Sequence, residues 1–379
     1  CNLFKRYNLS NINFDKNIKM KKILMMSMCS ALLLAGCNKT SQQDQTVSKE
    51  QKSTAQKATE QRDSSCLQIM VAMHTINQNS KIEDLNQINE KLKNCVPSLK
   101  NEEQLKLIDA STTMYQRFLK QDYTDKTARA FEAFGYAVLD QKQRDPKKVI
   151  QSQKKLFDQL SPRDQYLIQH EGQAYIELLY QGEGMFTYRR QPNYLVDVFS
   201  KALPADQKEF LSRMAKDNQD IFYNDGALAV SWKELTERAL FWEKFIQKYP
   251  KSYFINDAKL LFNEYRYFIF FGLDNTPVSD EYASNTWFDP DALQQIRFLS
   301  TQSQSSLAKP AQQFLKFIAT PVDERNKQFK IDLTDENGQK KSTYQIMHEQ
   351  LEQLLKFDSP WNTQSYRDCH IDAVCIDTN

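Results

Sequence analysis

WKELTERALFWEKFIQKYPKSYFINDAKLLFNEYRYFIFF, residues 232–271, is the stretch that decides the fold. Trp242, Phe245, Ile246 and Tyr249 recur at steps of three and four, the spacing that places side chains on one face of a helix. Tyr249-Pro250-Lys251-Ser252 then breaks the pattern, and a second helix follows with Ala258 early in it. The run at 260–273 holds six aromatic residues broken by Glu264 and Arg266, too short and too interrupted to cross a bilayer. It reads as buried helix core, or else as the lining of a peptide or acyl groove. Residues 232–271 therefore predict a helical hairpin.

The rest of the chain agrees. Glycine occurs 8 times in 379 residues, about 2%, against an average near 7%. Turn-rich sheets, phosphate loops and dinucleotide folds all draw on glycine, and neither GxGxxG nor GxxxxGK[ST] is present. Ser161-Pro162, Asp289-Pro290 and Thr320-Pro321 each put a capping side chain before a proline, with an acid in the first turn. Met114 with Phe118, Phe131 with Phe134 and Val138, Leu167 with Tyr175, Leu178 and Leu179, and Leu351 with Leu354 and Leu355 continue the helical spacing. About a dozen helices are expected. Phe329, Ile331 and Leu333 alternate before Asp335-Glu336-Asn337-Gly338, so a small β-hairpin is expected near 329–341, with Ser342 capping the next helix. The fold class is all-α, a helical-hairpin array or irregular α-solenoid behind a disordered tether. Residues 232–271 resemble one tetratricopeptide-type hairpin of the kind periplasmic assembly lipoproteins use. Tyr115, Phe118, Leu119 and Tyr123 echo it 127 residues earlier, although tandem 34-residue repeats are missing.

At the other end, Lys21 and Lys22 precede an apolar run from Ile23 to Leu34, much shorter than the roughly 20 residues of a membrane-spanning helix. With Met20 as the start, residues 1–19 form a leader without clear function and 20–36 a signal peptide. Leu34-Ala35-Gly36-Cys37 resembles the lipobox of bacterial lipoproteins. The resemblance implies cleavage before Cys37, diacylglycerol on its sulfur and an acyl chain on the new amino group. Several acyl chains anchor stably where one does not. Asn38 stands where an aspartate commonly marks inner-membrane retention in such lipoproteins, so the outer membrane, periplasmic side, is expected.

Residues 1–36 carry a net +5, so the formal +2 of the chain becomes −3 without them, and no basic footprint for nucleic acid remains. Residues 37–63 lack aromatic side chains and read as a lipidated flexible tether with a reach of about 30 Å. Residues 64–100 are expected to form a helical hairpin that turns near residue 80 and brings Cys66 level with Cys95. A bridge there would contribute about 3.5 kcal/mol in the chain-entropy model. Cys369 and Cys375 would close a small loop around HIDAV, and residues 101–379 form the helical body. The metal reading of CHIDAVC, with His370 and Asp372 as ligands, matches none of the usual zinc spacings.

Four histidines form no metal or nucleophile constellation, and neither HExxH nor GxSxG occurs. The best enzymatic candidate is Glu183 in Gln181-Gly182-Glu183-Gly184-Met185, read as a helix C-cap and loop, because a glutamate beside an apolar wall can serve as general acid in glycan cleavage. Helical lytic enzymes of the periplasm use a glutamate so, but the serine that usually follows theirs is Gly184 here. Tyr188, Arg189 and Arg190 are candidates for contact with an anionic partner. No cofactor and no metal ligand set is expected. The sequence thus points to a non-enzymatic scaffold or binding lipoprotein facing other envelope proteins or peptidoglycan. The alternatives are a peptidoglycan-cleaving enzyme using Glu183 and a lipid or peptide carrier.

Overall fold

The computed structural model describes residues 66, 68–139, 145–283, 287–362 and 367–377. The expected signal peptide, Cys37 and the expected tether lie outside the described residues. The architecture is mostly α-helical, with small two-stranded hairpins between helices. Helix α1 (68–75) turns at 77–80 into α2 (Ile82–Cys95), followed by α3 (Asn101–Leu119) and α4 (Asp125–Leu139). Three short helices follow: α5 (Pro146–Ser152), α6 (Lys154–Phe157) and α7 (Pro162–Gln169). Strands β1 (Ile176–Gly182) and β2 (Met185–Arg190) then form the longest hairpin, ahead of α8 (Asn193–Phe199) and α9 (Ala205–Asp217).

After β3 (Tyr223–Asn224) and β4 (Ala227–Leu228) come α10 (Trp232–Lys248) and α11 (Ile255–Phe271). Hairpin β5 (Gly272–Leu273) and β6 (Thr276–Pro277) leads to α12 (Pro290–Ser300), α13 (Ala308–Ala319), α14 (Val322–Gln328) and α15 (Thr343–Leu355). The chain closes on β7 (Arg367–Asp368) and β8 (Ile376–Asp377), which flank the loop of the last two cysteines.

Helices α10 and α11 pack as the hairpin read from residues 232–271. Ala258 is fully buried, as are Trp242, Phe245, Tyr265 and Phe268; the Trp242 and Phe245 rings pack on Phe210 of α9 and the Tyr265 and Phe268 rings on Phe222. Tyr267, Ile269, Phe270 and Phe271 are buried as well, so most of the aromatic run belongs to the core. Its two charged interruptions have partners: Glu264 meets His370, and Arg266 lies over the Phe357 ring at 4.4 Å.

Cys66 and Cys95 lie at disulfide distance, with Cα atoms 5.8 Å apart, and Cys369 and Cys375 do so at 4.1 Å. Ser161 and Asp289 accept backbone amide bonds at the starts of α7 and α12, and Ser342 caps α15 in a capping box. Thr320 does not cap the next helix. Its hydroxyl donates back to the Lys316 carbonyl at 2.8 Å, so it ends α13. The hairpin expected near 329–341 is reduced to one bridge, Thr334 to Lys340, around a turn at Asp335–Gly338.

The main departure is at residues 175–190. The spacing of Leu178 and Leu179 predicts a helix and Gln181–Met185 its end, but both segments belong to the β1–β2 hairpin. Glu183 and Gly184 both have positive φ, the signature of the type I′ turn that matches strand twist. A Cβ on Gly184 would stand 2.7 Å from a Glu132 carboxylate oxygen and 2.8 Å from the Tyr136 hydroxyl. Both are the ends of exposed side chains that can move, so it is chiefly the positive φ of 79° that favours glycine there. Asp225-Gly226 makes the same kind of turn between β3 and β4. The Gly226 carbonyl accepts from the Asn275 amide at 2.8 Å, so the second and third hairpins touch at their tips.

Candidate functional site

The β1–β2 hairpin is where the candidate residues converge. Its register pairs Ile176 with Arg190, Leu178 with Tyr188 and Tyr180 with Phe186. Because Gln191 donates to the Tyr175 carbonyl at 2.7 Å in this same register, the ladder bonds fall on the odd-numbered residues of β2. The even-numbered pairs turn their backbone groups outward. On the β1 side that outer edge is covered: Gly172 donates to the Ile176 carbonyl at 2.8 Å and the Glu171 carboxylate accepts from the Leu178 amide.

On the β2 side the outer edge borders a cavity of about 570 Å³, within the roughly 300–1,000 Å³ range of ligand clefts. One wall is the carboxyl-terminal half of α3, with Thr112, Gln116 and Leu119, continuing to Lys120 and Tyr123. The other wall is the terminal segment, with Ile371, Asp372, Ile376 and Asp377. Phe186 to Arg190 form the side between them.

Arg189 and Arg190 do not await an anionic partner: both are buried, and their acceptors are internal. Arg189 meets Glu177 across the hairpin at 2.6 Å and donates to the carbonyls of Asn218, Gln219 and Ile371. Arg190, 3% exposed, meets the equally buried Asp372 at 2.8 Å and donates to the hydroxyls of Ser111 and Thr112. The rings of Tyr115 and Tyr194 lie 5.3 and 4.7 Å from its guanidinium. Burial raises the Asp372 carboxyl above its usual range, while the guanidinium and the Ala373 amide pull it back. Tyr188 is buried too and donates to the Asp164 carbonyl at 3.3 Å.

These contacts clasp the terminal loop. Asn218 donates to the carbonyls of Cys369 and Asp372 at 2.8 and 2.6 Å. The His370 ring stacks on Phe222 and meets Glu264 at 3.0 Å. Burial opposes protonation of His370, but the Glu264 charge and hydrogen bond outweigh it and leave the imidazole raised above 6.5. Residues 369–375 thus act as a plug in the body and form one wall of the cavity. Sequence reasoning missed this role because Asp372 lies 182 residues from Arg190.

Glu183 is elsewhere, exposed at the hairpin tip. A hydrogen bond shared with Asp225, and then the charge of that carboxylate, raise it above its usual value. Tyr136, 47% exposed, and Met185, 54% exposed, lie at the same end of the hairpin. The described residues contain no group of three or more His, Cys, Asp or Glu arranged to hold a metal ion. Among them, no helix is long and apolar enough to cross a membrane. Comparison of the chain with family models, curated proteins and solved structures gave no match.

Proposed function

We propose that this chain is a lipid-anchored helical scaffold or binding protein of the bacterial envelope, facing the periplasm from the outer membrane. The single observation that favours binding is the cavity beside β2, whose walls come from α3 and from a terminal loop clasped by Arg189, Arg190 and Asn218. A mostly apolar cleft held by rigid elements is the usual form of a recognition site. The Leu34-Ala35-Gly36-Cys37 motif supports the anchor, and the polar tether after it would hold the body clear of the headgroups. Peptide carriage is the same reading with a mobile cargo. Glycan cleavage is the weaker alternative, because the Glu183 side chain is exposed at the hairpin tip.

Cys37→Ser is expected to abolish acylation and move the protein from membranes to the soluble or unprocessed fraction, as read by fractionation and mass spectrometry. An unmodified Cys37 in the native, membrane-associated protein would contradict the anchor. The binder should sediment with, or crosslink to, an envelope component and release no muropeptides from purified peptidoglycan. Release that is lost in Glu183→Gln would establish the enzymatic alternative instead.

A further inference from the structure

The outer edge of β2 defines what the cavity can hold. In the ladder fixed by the Gln191 to Tyr175 bond, the amides and carbonyls of Phe186, Tyr188 and Arg190 point away from β1. Among the described residues no backbone group pairs with that edge. Among the described residues the edge meets only the Thr187 hydroxyl, 3.5 Å from the Tyr188 carbonyl. Edge groups of this kind are a template for a further strand.

The charges around the cavity are already paired. Lys120 stands 3.7 Å from Asp122, Asp377 meets Arg367 at 3.2 Å, and Arg189 and Arg190 have Glu177 and Asp372. An occupant is therefore offered backbone hydrogen bonds and apolar wall, not net charge. A bound strand would alternate its side chains between Leu119 and Tyr123 on one wall and Ile371 and Ile376 on the other. A charged ligand would meet no charge that lacks a neighbour of opposite sign, and a lipid chain would leave the edge amides unsatisfied.

We propose that the cavity takes a short, uncharged extended peptide segment that adds to β2 as a third strand of the β1–β2 sheet. This rests on the binding reading above and names its ligand class. The affinity would come from main-chain bonds to Phe186 and Tyr188, and the specificity from apolar side chains at alternate positions.

The test pans a random heptapeptide library against the full chain in detergent. One recovered peptide is then resynthesised with a single N-methyl group at each position in turn. Strand addition predicts a loss of about tenfold at alternate positions and little change between them, since each outward-facing bond is worth about that factor. Gln116→Trp and Lys120→Trp, at exposed positions of the α3 wall, should each weaken the peptide similarly without disturbing the core. Tolerance of N-methylation at every position would overturn strand addition while leaving a peptide-binding protein. Binding indifferent to both tryptophan variants would overturn the assignment to this cavity. Recovery of no peptide would overturn the inference as well, and the binding reading would then stand or fall on envelope crosslinking alone.

Discussion

Replacing Arg190 with alanine is expected to lower folding stability by about 3–5 kcal/mol, because it leaves a buried carboxylate without its cation. The side chains of Arg190 and Asp372 are 2% and 6% exposed, so water cannot substitute for the lost partner. The same truncation leaves the hydroxyls of Ser111 and Thr112 without their guanidinium donor and removes the cation held between Tyr115 and Tyr194. Urea unfolding monitored by circular dichroism gives the loss directly, provided the slope with denaturant is unchanged. Adding Asp372→Asn should then recover part of it, because the second change removes the stranded charge. A loss below about 1 kcal/mol would mean that the terminal loop is not anchored through this pair.

Gly272→Ala should be comparably damaging, at about 2–6 kcal/mol, with strain and crowding contributing about equally. Gly272 has φ 75° and ψ −157°, a conformation open essentially to glycine alone. A methyl group there would run into the Thr276 carbonyl oxygen and come within 2.8 Å of the Pro277 Cα, both backbone atoms that cannot swing aside. The residue ends α11 and starts β5, so any adjustment is passed to the aromatic helix that carries the core. Gly338→Ala provides the comparison. Its φ is also positive, at 74°, but nothing stands within 4 Å of the added carbon, so only the local penalty of ~1–2 kcal/mol is expected. Equal melting temperatures for the two variants would show that the close approach at Gly272 is not restrictive.

Much of this architecture was legible because it is local. Ser161, Asp289 and Ser342 cap helices through residues two or three positions away, and Trp242, Phe245 and Ala258 mark a hairpin whose members are neighbours in sequence. The proximity of Cys66 and Cys95 followed from one turn between two helices. Thr320 failed as a cap because the preceding helix captured its hydroxyl, a competition that spacing does not reveal. Leu178 and Leu179 fitted a helical spacing with Tyr175, yet Leu178, Tyr180 and the Gly182-Glu183-Gly184 turn also carried a strand pattern. That turn, like Asn224-Asp225-Gly226, was the available signal for a hairpin.

The site itself was not readable at all. Arg189 and Arg190 are expected as contacts for an anionic partner, but their acceptors are internal and lie up to 182 residues away, a pairing that sequence spacing does not reveal. Glu183 was picked for its glycines, which serve the turn. The cavity draws on three segments, α3, β2 and the terminal loop, whose nearness is a property of the fold.

Strand addition requires that β2 keep an unpaired outer edge in the free protein. Residue-resolved hydrogen exchange of the β2 amides tests this most directly. Thr187 and Arg189, bonded to β1, should be protected, while Phe186 and Tyr188 should exchange markedly faster and become protected when a bound peptide fills the cavity. Uniform protection of all four amides in the free protein would show that the edge is already occupied, and would contradict the account.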